Sequence, residues 1–331
     1  MIEKRTVFIL GAGASRPYGL PTANELRCDI ISDFRKSYGN HLIAYREAEK
    51  ERVRRGYPMT SDATAFLVAF DGPNNMESID LFLSRQPRFQ RIGKLAISLN
   101  ILRHERESRF GHNAEKPDRD WYSLVYHRMT LECISKDGYR GFGRNKVAFV
   151  TFNYDRSLEH FLFRSLHSFE DATSESVREQ IGRIAISHVY GKLAPLPWQD
   201  SDSSRILEYG ADDVKSYGKL PDMIQNLYVV HEERVNPGLE EAREKIEGAE
   251  RVFFLGFGYA KENLEALGFP DVVTKSHRIY GTAMGWTPRE IGEIRWHFID
   301  AIQRSGSTSA HVDKQVQIRD CDCVTLLREF L

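Results

Sequence analysis

Four short stretches concentrate residues able to do chemistry. The first is Gly11-Ala12-Gly13-Ala14-Ser15, which follows the apolar run Val7 to Leu10. Small residues at such a turn let backbone amides approach a ligand, and a following helix adds the positive end of its dipole, which suits a pyrophosphate. The second is Thr151-Phe152-Asn153-Tyr154-Asp155, where a buried strand ends in an amide and a carboxylate. Neither is a natural core residue, although Asp155 also suits the N-cap of a helix starting at Arg156. The third, "AISHVYG", carries His188 and Tyr190 two positions apart, which a continuing strand places on one face. The fourth is Gly256-Phe257-Gly258, another glycine-rich strand end.

Strands followed by helices position these stretches. Val7 to Leu10, "KVAFVTFN", "AISHVYG", "NLYVV", "RVFFLGFG" and "RIYGTAM" read as strands. The helices expected between and after them are "RSLEHFLFRSLHS", "PGLEEAREKIEGA" closed by Gly248, "KENLEAL", and "TPREIGEIRWHFIDAI" opened by Thr287 and Pro288. Thr22 with Glu25 three residues later reads as the start of the first helix. The alternation implies an α/β fold, a Rossmann-like doubly wound parallel sheet. In such sheets ligands bind beyond the carboxyl ends of the strands, where all four stretches fall.

Residues 37–143 read differently. "AYREAEKERVRRG", "SIDLFLSR", "RIGKLAISLNILRHERE" and "DWYSLVYHRMTLECI" all carry helical spacing, and no strong strand interrupts them. The expected organisation is a core of residues 1–36 and 144–331 with a helical insertion module at 37–143. Arg85, Arg88, Arg91 and Lys94 form a basic stripe at helical spacing there. A solvated face is its ordinary explanation.

Composition sets outer limits. In 331 residues, 41% are hydrophobic and 28% charged, a globular balance. Lys and Arg number 46 against 47 Asp and Glu. That near-neutrality gives no whole-chain attraction to nucleic acid. The four cysteines, Cys28, Cys133, Cys321 and Cys323, form no paired C-x-x-C zinc set, so no metal is expected. The N-terminal apolar run is too short for a signal peptide or membrane span, so the expected location is cytoplasmic.

The glycine turn departs from the usual dinucleotide oxidoreductase fingerprint. Arg16 stands where G-x-G-x-x-G wants glycine, and the expected acid-ended second strand is replaced by helix. An ordinary hydride-transfer enzyme is therefore disfavoured. A tight turn without a ligand is the alternative for the motif taken alone.

In combination the four stretches resemble the sirtuin fold, in its bacterial sirtuin-like branch. The resemblance covers roughly residues 5–36 and 145–285. Sirtuins carry Gly-Ala-Gly-x-Ser followed by Gly-Ile-Pro, and here Gly11 to Ser15 and Gly19-Leu20-Pro21 match. Thr151-Phe152-Asn153-Tyr154-Asp155 matches Thr-Gln-Asn-Ile-Asp at three of five positions, and "LGFGY" looks like the family's late strand end. Three features depart. The four-cysteine zinc site is absent, the Pro-Asp-Phe-Arg continuation is replaced by Pro21-Thr22-Ala23-Asn24, and Tyr190 precedes Gly191 where the family has its catalytic histidine.

The resemblance implies NAD+ as the ligand, and the missing zinc site, together with the lack of a recognisable peptide-binding segment of the family's kind, points away from deacylation. What it leaves is an NAD+ hydrolase releasing nicotinamide and ADP-ribose, with cyclisation of NAD+ as a variant outcome. Asn153 would place the ribose and water, and Asp155 would contact the carboxamide. His188, or Tyr190 in its stead, would fill the base position. Gly11, Ala12, Gly13, Ala14 and Ser15 would cradle the pyrophosphate, and Thr151, Gly256, Phe257 and Gly258 would line the rest. Family members of this kind act as toxic effectors in anti-phage defence, with partners such as HerA-type ATPases, short Argonautes or nucleotide-signal sensors. A homo-oligomer or a sensing partner, assembled on the helical module, is the corresponding expectation, with no membrane and no direct nucleic-acid contact. A non-catalytic NAD+- or ADP-ribose-binding regulatory module is the competing reading.

Overall fold

Runs of aromatic and β-branched residues build the sheet. In the computed structural model, residues 1–35, 63–72, 78–110, 119–131, 138–212, 219–220, 224–229, 236–306 and 312–331 are described. Six strands form one sheet: β1 (Thr6–Leu10), β2 (Val147–Thr151), β3 (Ala185–His188), β4 (Arg251–Leu255), β5 (Arg278–Thr282) and β6 (Val316–Arg319). All pairings are parallel, in the order β3-β2-β1-β4-β5-β6. β1 and β2 are buried on both faces, which is why they are continuously apolar rather than alternating.

The helices cover both faces. In chain order they are α1 (Ala12–Ser15), α2 (Ala23–Arg35), α3 (Ala63–Phe70), α4 (Ile79–Arg85), α5 (Gln90–Glu107) and α6 (Trp121–Thr130). After β2 come α7 (Ser157–His167), α8 (Ser174–Gly182), α9 (Pro237–Glu247), α10 (Lys261–Ala266), α11 (Pro288–Arg304) and α12 (Cys323–Phe330). Period-two alternation sends Val7, Ile9, Val252 and Phe254 to one face, against α2 to α5, α9 and α11. Phe8, Leu10, Phe149 and Phe253 point to the other, against α6 to α8 and α12. The described helices between β1 and β2 therefore serve both layers: α3 to α5 the first, α6 the second. No strand occurs among the described residues of 37–143, and "AYREAEKERVRRG" and Cys133 lie outside them.

The Thr22–Glu25 capping box forms as its spacing requires, with Thr22 N–H donating to Glu25 Oε2 at 2.8 Å and Glu25 N–H to Thr22 Oγ1 at 3.3 Å. Thr287 and Glu290 repeat it at α11.

Two strand expectations need correction. "NLYVV" is not a strand where it is described: Asn226 ends a 3-10 turn, and 227–229 are irregular. It meets β3's continuation through a bond from Tyr228 N–H to Tyr190 O. The sixth strand is instead β6, an edge strand. β3 ends at His188, and Val189 and Tyr190 lie in a turn. The basic stripe is likewise divided. Arg85 ends α4, Arg88 sits in a 3-10 turn, and Arg91 and Lys94 are on α5, where Lys94 is buried and donates to Leu227 O.

Candidate active site

β1 lies between β2 and β4, so the chain leaves it in one direction along the sheet and later returns on its other side. A crevice opens at such a switch point because successive connections diverge there. It is lined by the turns after β1, β2 and β4, together with residues of α2, α4, α5 and the segment after β6, and its volume is about 1510 Å³. That exceeds the roughly 300–1,000 Å³ of ordinary ligand pockets and leaves room for an extended dinucleotide.

The floor is made by two glycine turns locked backbone to backbone. Gly11 N–H donates to Leu255 O and Gly13 N–H to Gly256 O, both at 3.0 Å. A Cβ on Gly11 would lie 2.4 Å from Gly256 O, and one on Gly256 would lie 2.0 Å from Ala14 N. Gly256 also has a positive φ of 55°. These glycines are thus required by each other as well as by any ligand. This alters the expected phosphate cradle. The amides of Gly11, Gly13 and Ala14 are already used, the last on Gly11 O. Gly11, Ala12 and Gly13 line the crevice, whereas Ala14 and Ser15 are buried behind it. Positive charge at the turn comes instead from side chains: Arg16, Arg109 and Arg119 all line the crevice. Arg16 pairs with Glu25 at 3.2 Å and Arg119 with Asp322 at 3.3 Å.

Asn153 faces this floor. Its Nδ2 donates to Gly11 O at 3.1 Å and to Ser15 Oγ at 2.9 Å, and its backbone N–H donates to Thr151 Oγ1 at 3.0 Å. The carbonyl acceptor fixes which way the amide points. Oδ1 accepts from no described residue, so Asn153 presents an acceptor to the crevice it lines. Thr151 itself is buried under the loop and does not line the crevice.

Asp155 also lines the crevice. Its Oδ1 accepts from Ser157 N–H at 3.0 Å and from the Ser157 hydroxyl, opening α7 one residue later than its sequence suggests. Burial raises its carboxyl above the ordinary value, and the Ser157 bonds only partly oppose this.

His188 does not line the crevice. Its Nδ1 lies 3.0 Å from Asn153 O and its Nε2 2.9 Å from Glu159 Oε1. Both ring nitrogens are therefore engaged, and the residue braces the Asn153 backbone from behind. Burial disfavours the Glu159 carboxylate, but Lys192 and His188 more than offset this and hold it far below the usual range. The shared strand face expected for His188 and Tyr190 is absent because the strand stops between them. Tyr190 turns into the crevice, where its hydroxyl donates to Asn263 Oδ1. Burial, then the charges of Asp80 and Glu262, push its phenol well above the ordinary value. Phe152 packs edge-on against Tyr190 and Phe257, at 5.4 and 5.2 Å between centroids, and all three line the crevice with Gly256 and Gly258.

Sequence reading missed several crevice residues besides Arg109 and Arg119. Asp80, from the first turn of α4, lines the crevice and accepts from the Tyr154 hydroxyl. Cys321 and Cys323 also line the crevice. Burial pushes the Cys323 thiol up to about 12, so it is a poor nucleophile. Among the described residues no group of three or more His, Cys, Asp or Glu side chains is arranged to hold a metal, and no helix is long and apolar enough to cross a membrane.

No protein-family model matches this chain, and no curated protein matches it.

Proposed function

We propose that this crevice binds NAD+ and hydrolyses its nicotinamide glycosidic bond, giving nicotinamide and ADP-ribose. The observation that carries the reading is the fixed Asn153 amide, which offers its Oδ1 beside the interlocked turns of β1 and β4 at the switch point. An acceptor there suits a ribose hydroxyl or an attacking water. Arg16, Arg109 and Arg119 supply charge for the diphosphate that the occupied amides do not. Asp155 is placed to meet the carboxamide.

The chemistry needs little acid assistance. Nicotinamide departs neutral from a cationic ring, while the ribose takes on oxocarbenium character as in other glycoside hydrolyses. Holding the sugar, placing one water and excluding the rest is the main task. The sirtuin-like motifs extend the proposal to a toxic effector of anti-phage defence in the cytoplasm. Oligomerisation or a sensing partner such as a HerA-type ATPase would activate it. The described helices of residues 37–143 contribute crevice residues as well as surface, so a partner gripping them would act directly on the site.

A second reading keeps the ligand and drops the reaction. The engagement of both His188 nitrogens, with Tyr190 in the crevice instead, favours a non-catalytic NAD+- or ADP-ribose-binding regulatory module. Chromatography of NAD+ after incubation with the purified protein, with and without candidate partners, decides between them. Appearance of nicotinamide and ADP-ribose supports hydrolysis. Saturable binding without turnover under every condition supports the regulatory module.

A further inference from the structure

One acid of the crevice belongs to no recognisable motif. α4 is capped by Ser78, whose hydroxyl accepts from Leu81 N–H at 3.3 Å. Ile79, Phe82 and Leu83 bury its other side in the first core. This anchoring turns the first turn of α4 toward the crevice, where Ser78, Asp80 and Leu81 form part of the wall. The Tyr154 hydroxyl donates to Asp80 Oδ1, and Tyr154 directly follows Asn153 in the floor.

We infer that Asp80 is the carboxylate that balances the positive charge of the oxidised nicotinamide riboside and takes the proton of the attacking water. This rests on the NAD+ reading above. The other acids and bases nearby have different work. His188 is behind the floor with both nitrogens engaged. The Tyr190 phenol donates to Asn263. Asp155 commits Oδ1 to two bonds from Ser157. The Tyr154 hydroxyl is the side-chain partner of Asp80 among the described residues, and it orients the carboxylate without neutralising it. Burial also raises its carboxyl from the usual value, in the direction that makes a better general base.

The step balances without a co-reactant other than water. The C1′–N bond breaks, and its electron pair leaves with nicotinamide, which becomes neutral. The water oxygen bonds to C1′, and its proton passes to Asp80 and then to solvent. One water is consumed and one proton released per NAD+.

The test uses the full chain carrying Asp80→Asn, which keeps an acceptor for Tyr154 while removing the charge. Calorimetric titrations with NAD+, NADH and ADP-ribose separate charge recognition from the rest of binding. The unaltered protein should bind NAD+ at least fivefold more tightly than NADH. The variant should lose that preference, hold ADP-ribose within twofold, and release nicotinamide at least 100-fold more slowly at saturating NAD+. Tyr154→Phe, which keeps the charge and frees its orientation, should retain the NAD+ preference and lose about tenfold in turnover. An Asp80→Asn protein that still prefers NAD+, or that turns over normally, overturns the inference while leaving the NAD+ reading intact. Absence of any dinucleotide binding by the unaltered protein overturns both.

Discussion

Asn153 donates its side-chain N–H to the carbonyl oxygen of Gly11 across 3.1 Å, joining the end of β2 to the turn after β1. The bond spends a donor and exposes an acceptor, so the asparagine is structural on one side and chemical on the other. Asn153→Ala removes both. Nicotinamide release should fall at least 100-fold, an effect of order 3 kcal/mol on the barrier. The circular dichroism spectrum should be unchanged and the melting temperature lowered by a few degrees. Normal turnover in that variant would remove Asn153 from the reaction.

The two glycines after β4 should behave oppositely. Gly256 has a positive φ, and its Cβ would strike Ala14 N at 2.0 Å, a backbone atom with no room to yield. Gly256→Ala should cost more than about 3 kcal/mol or prevent folding. A Cβ on Gly258 meets nothing within 4 Å. Gly258→Ala should stay within about 0.5 kcal/mol of the original. Urea denaturation of the two proteins checks the contrast.

Arg156 and Glu105 form an ion pair in which neither side chain is exposed. Arg156 Nε donates to Glu105 Oε1 at 3.0 Å, and its Nη1 donates to Leu207 O at 2.7 Å. Arg156→Met strands a buried carboxylate and should destabilise the protein by about 3–5 kcal/mol. Combining it with Glu105→Leu should recover much of that loss, because the stranded charge is gone. No recovery in the double variant would show that the backbone bonds of Arg156 matter more than its pairing.

His160 gives the fold an acid limit. Burial, reinforced by Arg164 and Arg156, lowers its imidazole to about 4 from 6.5. Its ring stacks on Tyr209 at 4.1 Å. The unfolded chain therefore binds the proton first, and stability is complete above about pH 6.5 and declines toward pH 4, by up to about 3 kcal/mol. His160→Phe should flatten that segment of the stability profile while preserving the stack. A profile of unchanged slope between pH 6.5 and 4 would remove His160 from the acid limit, because Glu159, held below its ordinary value, gives up its contribution only at lower pH.

Much of the frame was legible because its signals are local. Val7 to Leu10 and Val147 to Val150 are apolar without interruption, as strands buried on both faces must be. Thr22 with Glu25 three residues on, and Thr287 with Pro288, announce their helices through local signals. β6 was not legible, because Val316-Gln317-Ile318-Arg319 is four residues long with two polar side chains, the pattern of an edge. The orientation of His188 and Tyr190 was misread because alternation holds only while the strand continues, and this one stops at His188. The glycine turn was placed correctly, but sequence cannot tell that its amides are taken by a partner turn far along the chain, as the pairing of Gly11 with Leu255 requires. Asp80 left no trace, since a single acid in the first turn of a helix is what dipole and cap already favour.

The interlocked turns carry an evolutionary consequence. A surface made of main-chain atoms in mutual contact has no side chains to exchange, so it resists gradual retuning. Divergence in what related molecules accept should accumulate on the rim, in the first turn of α4 and in the Cys321–Cys323 segment, while the base stays invariant.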